Sequence, residues 1–122
     1  MAPRNPASVP AEHWRRDAGP DSVAVLDIPG LVERGRVFDI DITLLVDAPA
    51  ALKGAWHELS VEFDGQRQWS RRIDTRNPGQ TDSLEYHQQV RLAPEQALRV
   101  RAQARVQGAR IRQLLIEARE DR

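Results

Sequence analysis

Cysteine is absent from this 122-residue chain. That excludes disulfides, thiolate metal sites and cysteine nucleophiles, and with them an antibody-type sandwich bridged through its core. Aromatic residues are scarce, at 5%, and the large rings are Trp14, Phe38, Trp56, Phe63, Trp69 and Tyr86. The core must therefore be built mainly from Val, Leu, Ile and Ala, and held by packing and hydrogen bonds alone. Lysine occurs only as Lys53, and the other 17 bases are arginine, a bias expected of a GC-rich bacterial genome. No stretch approaches the roughly 20 apolar residues that cross a bilayer, and residues 1–10 lack the apolar run of a signal peptide. The expectation is a soluble cytoplasmic protein with no membrane contact, or a periplasmic one if a leader has been trimmed.

What is present is a soluble globular balance, 40% apolar and 30% charged residues, in a length suited to one domain. Net charge is zero, yet residues 1–65 hold 11 acids and 6 bases, and residues 66–122 hold 7 acids and 12 bases. Residues 1–20 contain Pro3, Pro6, Pro10 and Pro20 with few apolar side chains. They read as a flexible proline-rich tail, anchored by Trp14 tucking against a domain spanning residues 21–120.

From Asp21 the pattern changes to short alternating segments, and 22–28 reads as a first strand ended by Pro29 and Gly30. Residues 36–46 form the clearest strand, with Phe38, Ile40, Ile42, Leu44 and Val46 on one face and Asp39, Asp41 and Thr43 on the other. A strand over 57–63 buries Leu59, Val61 and Phe63, and Asp64-Gly65 supplies the tight turn into its hairpin partner at 66–73. Asn77, Pro78 and Gly79 mark a sharp turn. Leu84, Tyr86, Val90 and Leu92 line the next strand, which turns at 93–96. Leu98, Val100, Ala102, Ala104 and Val106 then form a long inward face, and Gly108 reads as another hairpin. In the last strand Ile111 falls on one alternation and Leu114, Ile116 and Ala118 on the other, so a β-bulge near Gln113 is expected. About seven strands at this spacing predict an all-β, antiparallel immunoglobulin-like sandwich. The small Ala102 and Ala104 leave room for a ring from the facing sheet, Trp69 or Trp56.

The residues that carry chemistry do not assemble into a catalytic pattern. His13, His57 and His87 share no metal-ligand spacing, although His57 beside Trp56 and Glu58 could cap a small cleft. Ser60, Ser70 and Ser83 lack a nucleophile motif, the glycines stand singly at turns, and Asp39 and Asp41 share an exposed face. No enzyme activity, cofactor or metal is predicted. The most organised polar feature is the outward row Arg99, Arg101 and Arg105, continued by Arg110 and Arg112. It could bind an anion or nucleic acid, but neutral overall charge and the lack of interleaved aromatics argue against nucleic acid. A cross-strand ladder with Glu58 and Glu62 on the neighbouring strand accounts for the row.

The segment Leu45, Val46, Asp47, Ala48 and Pro49, the Gly54 loop, Asp64-Gly65 and Asn77-Pro78 together resemble the small sulfur-oxidation carrier subunits of SoxZ type. The likeness covers the middle third of the chain and consists mainly of turn residues. That family carries a histidine where Ala48 stands, and the C-terminal strand does not match. The resemblance implies an immunoglobulin-like accessory that helps present a swinging cysteine arm on another subunit. The alternative expectation is a small-ligand or sulfur-chemistry accessory protein with a cleft near Trp56, His57 and Tyr86. From the residues themselves, the leading expectation is a non-catalytic binding or assembly module, contacting a protein partner or a second copy of itself. The candidate surface comprises Trp56, His57, Trp69, Arg71, Arg72, Asn77, Arg101 and Arg105. Arg71 and Arg72 on the Trp69 strand could equally block edge pairing.

Overall fold

The computed structural model describes residues 10–51 and 53–122. Residues 1–9 of the expected tail, and Leu52, lie outside the described residues. Eight strands follow one another without a helix among the described residues: β1 (His13–Asp17), β2 (Val23–Ile28), β3 (Arg36–Asp47), β4 (Trp56–Phe63), β5 (Gln66–Asp74), β6 (Thr81–Leu92), β7 (Leu98–Gln107) and β8 (Arg110–Glu120). They form two antiparallel four-stranded sheets, ordered β1-β8-β3-β6 and β2-β7-β4-β5, stacked as an immunoglobulin-like sandwich. The period-two pattern becomes the core directly. Phe38, Ile40, Ile42, Leu44 and Val46 of β3 face Leu59 and Val61 of β4 and Val100 and Ala102 of β7, all at 0% exposure.

The strand count rises from seven to eight because the expected tail is not all tail. β1 pairs with β8 from His13↔Arg119 to Asp17↔Leu115, and backbone bonds at Ala18 and Glu120 extend the ladder. The boundary at residue 20 is therefore set too late. With Trp14 as its one large apolar side chain, a five-residue edge strand between prolines carries almost no period-two signal.

Only β4 and β5 are sheet neighbours joined directly, through Asp64 (φ 50°) and Gly65 (φ 81°). Every other connection carries the chain to the opposite sheet. The Gly108 turn is accordingly an arch between sheets and not the expected hairpin. Turn residues specify a reversal, but the open edge that receives the next strand is a tertiary matter. Arg110 and Arg112 thus lie in the other sheet and do not extend the arginine row of β7. The bulge forms as expected: Leu45 pairs with Gln113 and Val46 with Ile111, leaving Arg112 as the extra residue.

The tryptophan placement needs correction. Trp69 belongs to the same sheet as Ala102 and Ala104, and Trp56 alternates with the inward His57, so neither ring comes from the facing sheet. Ala102 instead sits between Ala24 of β2 and Val61 of β4 in its own sheet. The facing sheet contributes Ile40, Ile42 and Leu44 of β3 and Leu114 and Ile116 of β8 to the same core.

Candidate functional site

The outer face of the β2-β7-β4-β5 sheet is a charge ladder. Arg99 donates through Nε to Asp27 at 2.7 Å, a bond that holds the Asp27 carboxyl below the usual carboxylate range and raises Arg99. Arg101 lies 3.8 Å from Glu62. Arg105 stands opposite Glu58 in register, but that carboxylate accepts from Arg72 of β5 at 2.9 Å. Exposed pairs of this kind contribute little to stability and more to register.

The other sequence-predicted residues divide among several places. The Arg72 guanidinium lies 3.7 Å from the centre of the Trp56 ring, whose Nε1 donates to Gln107 at 3.2 Å. Trp56 and Arg72 therefore cover each other. Arg71, Arg72 and Asn77 line an open cleft of about 530 Å³ together with Arg76 and Asp82, and Asn77 closes its own turn by donating to the Thr81 carbonyl at 3.1 Å. His57 is sealed in the interior at 0% exposure. Its Nε2 lies 3.2 Å from the Ser83 carbonyl, which can only accept, so Nε2 carries the proton and Nδ1 accepts from the Thr75 hydroxyl at 2.8 Å. A cleft shared by Trp56, His57 and Tyr86 is not formed, because adjacent strand residues point to opposite faces and the imidazole is fully used. The exposed histidines are each tied to acids, His13 to Glu117 and His87 to Asp41. No group of three or more His, Asp or Glu among the described residues is placed to hold a metal ion.

Sequence reasoning missed a network at one end of the sandwich. Arg36, with its side chain 1% exposed, donates to Glu12 at 2.8 Å and to the Pro29 carbonyl at 2.8 Å. Arg34 grips Glu120 with two bonds, which draw the Glu120 carboxyl below the ordinary glutamate range. Trp14 Nε1 donates to Glu12 at 3.0 Å, and Glu12 N donates to Glu120 at 3.0 Å. The guanidiniums and carboxylates pair with one another, leaving only the Arg36 Nε without a partner among the described residues, so the arrangement serves to lock β1 onto β8 and the segment before β3. Partners 24, 86 and 108 positions apart leave no local signal.

The opposite flank, where the edges β5 and β6 face each other, is also new. Trp69 stacks on Tyr86 with ring centres 4.9 Å apart and planes at 25°, and the Tyr86 hydroxyl donates to Gln88. The half-buried Ile73 and Val90 pack against the core nearby. On the outer face of β6 the middle residues are occupied by β3 and the C-terminus. His87 is 2.8 Å from Asp41, and Gln89 donates to Asp39 and Asp121 at 3.2 Å each. The flanking Glu85 and Arg91 have no side-chain partner among the described residues.

These features define an immunoglobulin-like β-sandwich domain. No protein-family model matches the chain, and no curated protein matches it. Among solved structures it is similar to part of dimeric latent PorU from Porphyromonas gingivalis, with a TM-score of 0.51 and 11% identity. The match covers 91% of this chain and 13% of that one. At that identity the likeness concerns the fold.

Proposed function

We propose that this domain is a non-catalytic assembly module that takes a partner protein on the free edge of β6. One observation carries the reading: of the four sheet edges, β6 alone is long, regular and free of both proline and bulge. β1 has five residues, and β2 has six and runs into Pro29. β5 is broken by a bulge, where Val61 pairs with Trp69 and Glu62 with Arg67, and it carries Arg67, Arg71 and Arg72. Shortness, proline, bulges and charge are the usual defences of an edge against strand addition. β6 keeps regular register with β3 through twelve pairs and contains no proline. The carbonyls of Thr81 and Ser83 are taken by Asn77 and His57, and from Glu85 onward the outward N–H and C=O groups are a template for β-augmentation.

The test is a photo-crosslinking residue in place of Gln89, with a second at Val32 as control, in cells producing the chain. A discrete adduct at 89 and none at 32 supports the reading. Absence of any adduct at 89 overturns it.

A further inference from the structure

Resting on that reading of β6, we infer that its occupant is a second copy of this chain, paired antiparallel about a two-fold axis through Gln88. The argument begins with the pleat. In an antiparallel pair, residues directly opposite point to the same face, so a two-fold axis between identical strands must pass through a residue and not between two. Only a few centres on β6 are then possible, and its side chains discriminate among them.

About Gln88 the strand is complementary to its own reverse. Leu84 comes opposite Leu92, Glu85 opposite Arg91, Tyr86 opposite Val90 and His87 opposite Gln89. The inward pairs on either side of the axis are then apolar, including an aromatic with a β-branched side chain, which is a favourable cross-strand combination; at the axis itself Gln88, which accepts from the Tyr86 hydroxyl, meets its own copy. The outward pairs place Glu85 against Arg91 twice, once on each side of the axis. These are the two exposed charges of the strand left without a side-chain partner among the described residues, whereas His87 and Gln89 are already held by Asp41, Asp39 and Asp121. A centre on His87 opposes Glu85 to Gln89 and Arg91 to Ser83. A centre on Gln89 brings His87 against Arg91. Gln88 is thus the only centre that opposes Glu85 and Arg91. The pairing joins two β1-β8-β3-β6 sheets into one eight-stranded sheet and removes the exposed edge from both copies.

The test uses charge exchange, read by light scattering after gel filtration from about 1 μM to about 1 mM. The unaltered chain should dimerise in that range. Glu85→Arg places arginines in opposition and Arg91→Glu places glutamates in opposition, so each variant alone should self-associate about tenfold more weakly or less. Mixed in equal amounts they should form a heterodimer. The arginine introduced at position 85 of one copy then meets the glutamate introduced at position 91 of the other, and the second contact keeps the native Glu85 opposite the native Arg91. Recovery on mixing also shows that both variants are folded. An unaltered chain that stays monomeric, or a dimer indifferent to both substitutions, overturns the inference. An adduct at position 89 with the mass of a different protein overturns it too while leaving the β6 reading intact; loss of every adduct fails both.

Discussion

Glu12→Gln isolates the contribution of the buried ion pair at the end of the sandwich. The substitution keeps the size of the side chain and an acceptor oxygen, but it leaves the Arg36 guanidinium charged at 1% side-chain exposure with no carboxylate of its own. Arg36 has little reserve, since its Nε has no hydrogen-bond partner. Removing one member of a fully buried pair costs about 3–5 kcal/mol. Glu12 is 23% exposed, so solvent screens part of the charge and a loss of about 2–3 kcal/mol is expected. In a domain of this length that corresponds to a fall in Tm of about 8–12 °C. Arg36→Met removes the buried charge itself and fills similar volume with hydrocarbon, so it should cost about 1 kcal/mol or less. The double variant should be more stable than Glu12→Gln alone. Urea melts followed by circular dichroism measure all three, and hydrogen exchange at β1 reports whether the strand detaches first. A Glu12→Gln protein within about 0.5 kcal/mol of the parent, or Arg36→Met as costly as Glu12→Gln, would refute the reasoning.

Ala102→Leu adds three carbons at a position with 0% exposure in the middle of β7, and overpacking should cost about 1–3 kcal/mol in a thermal melt. His57→Leu keeps the volume but strands the Thr75 hydroxyl and the Ser83 carbonyl, with an expected loss of about 2–4 kcal/mol by urea titration. The depressed carboxyl of Glu120, held down first by the Arg34 hydrogen bond, confers stability that is complete above the ordinary glutamate pKa and is lost as pH falls through its lower folded value. Stability should therefore decline below about pH 4.3, and Glu120→Gln should flatten that decline while lowering stability at neutral pH.

The sandwich was legible because its information is local. Alternation on β3 and β7, the Asp64-Gly65 turn and the phase slip before Leu114 each lie within a few residues and follow from the two-residue period of an extended chain. The Glu58–Arg105 and Glu62–Arg101 oppositions were also within reach once β4 was set beside β7. The tail boundary failed where that local signal ran out: β1 is a strand because β8 offers it an edge and because Glu12 and Trp14 reach partners far along the chain.

The functional surface divides in the same way. The amino-acid order by itself determined the mirror relation of β6 about Gln88, with Glu85 and Arg91 at equal distances from the centre. Whether that relation could matter depended on sheet order. Tertiary structure decided that β6 is an edge, that β3 and Asp121 occupy His87 and Gln89, and that Trp69 faces Tyr86 across the flank in place of the core alanines. The physical reason is that a strand's alternation specifies its two faces, whereas its two lateral neighbours are specified by the backbone hydrogen bonds of every other strand in the fold.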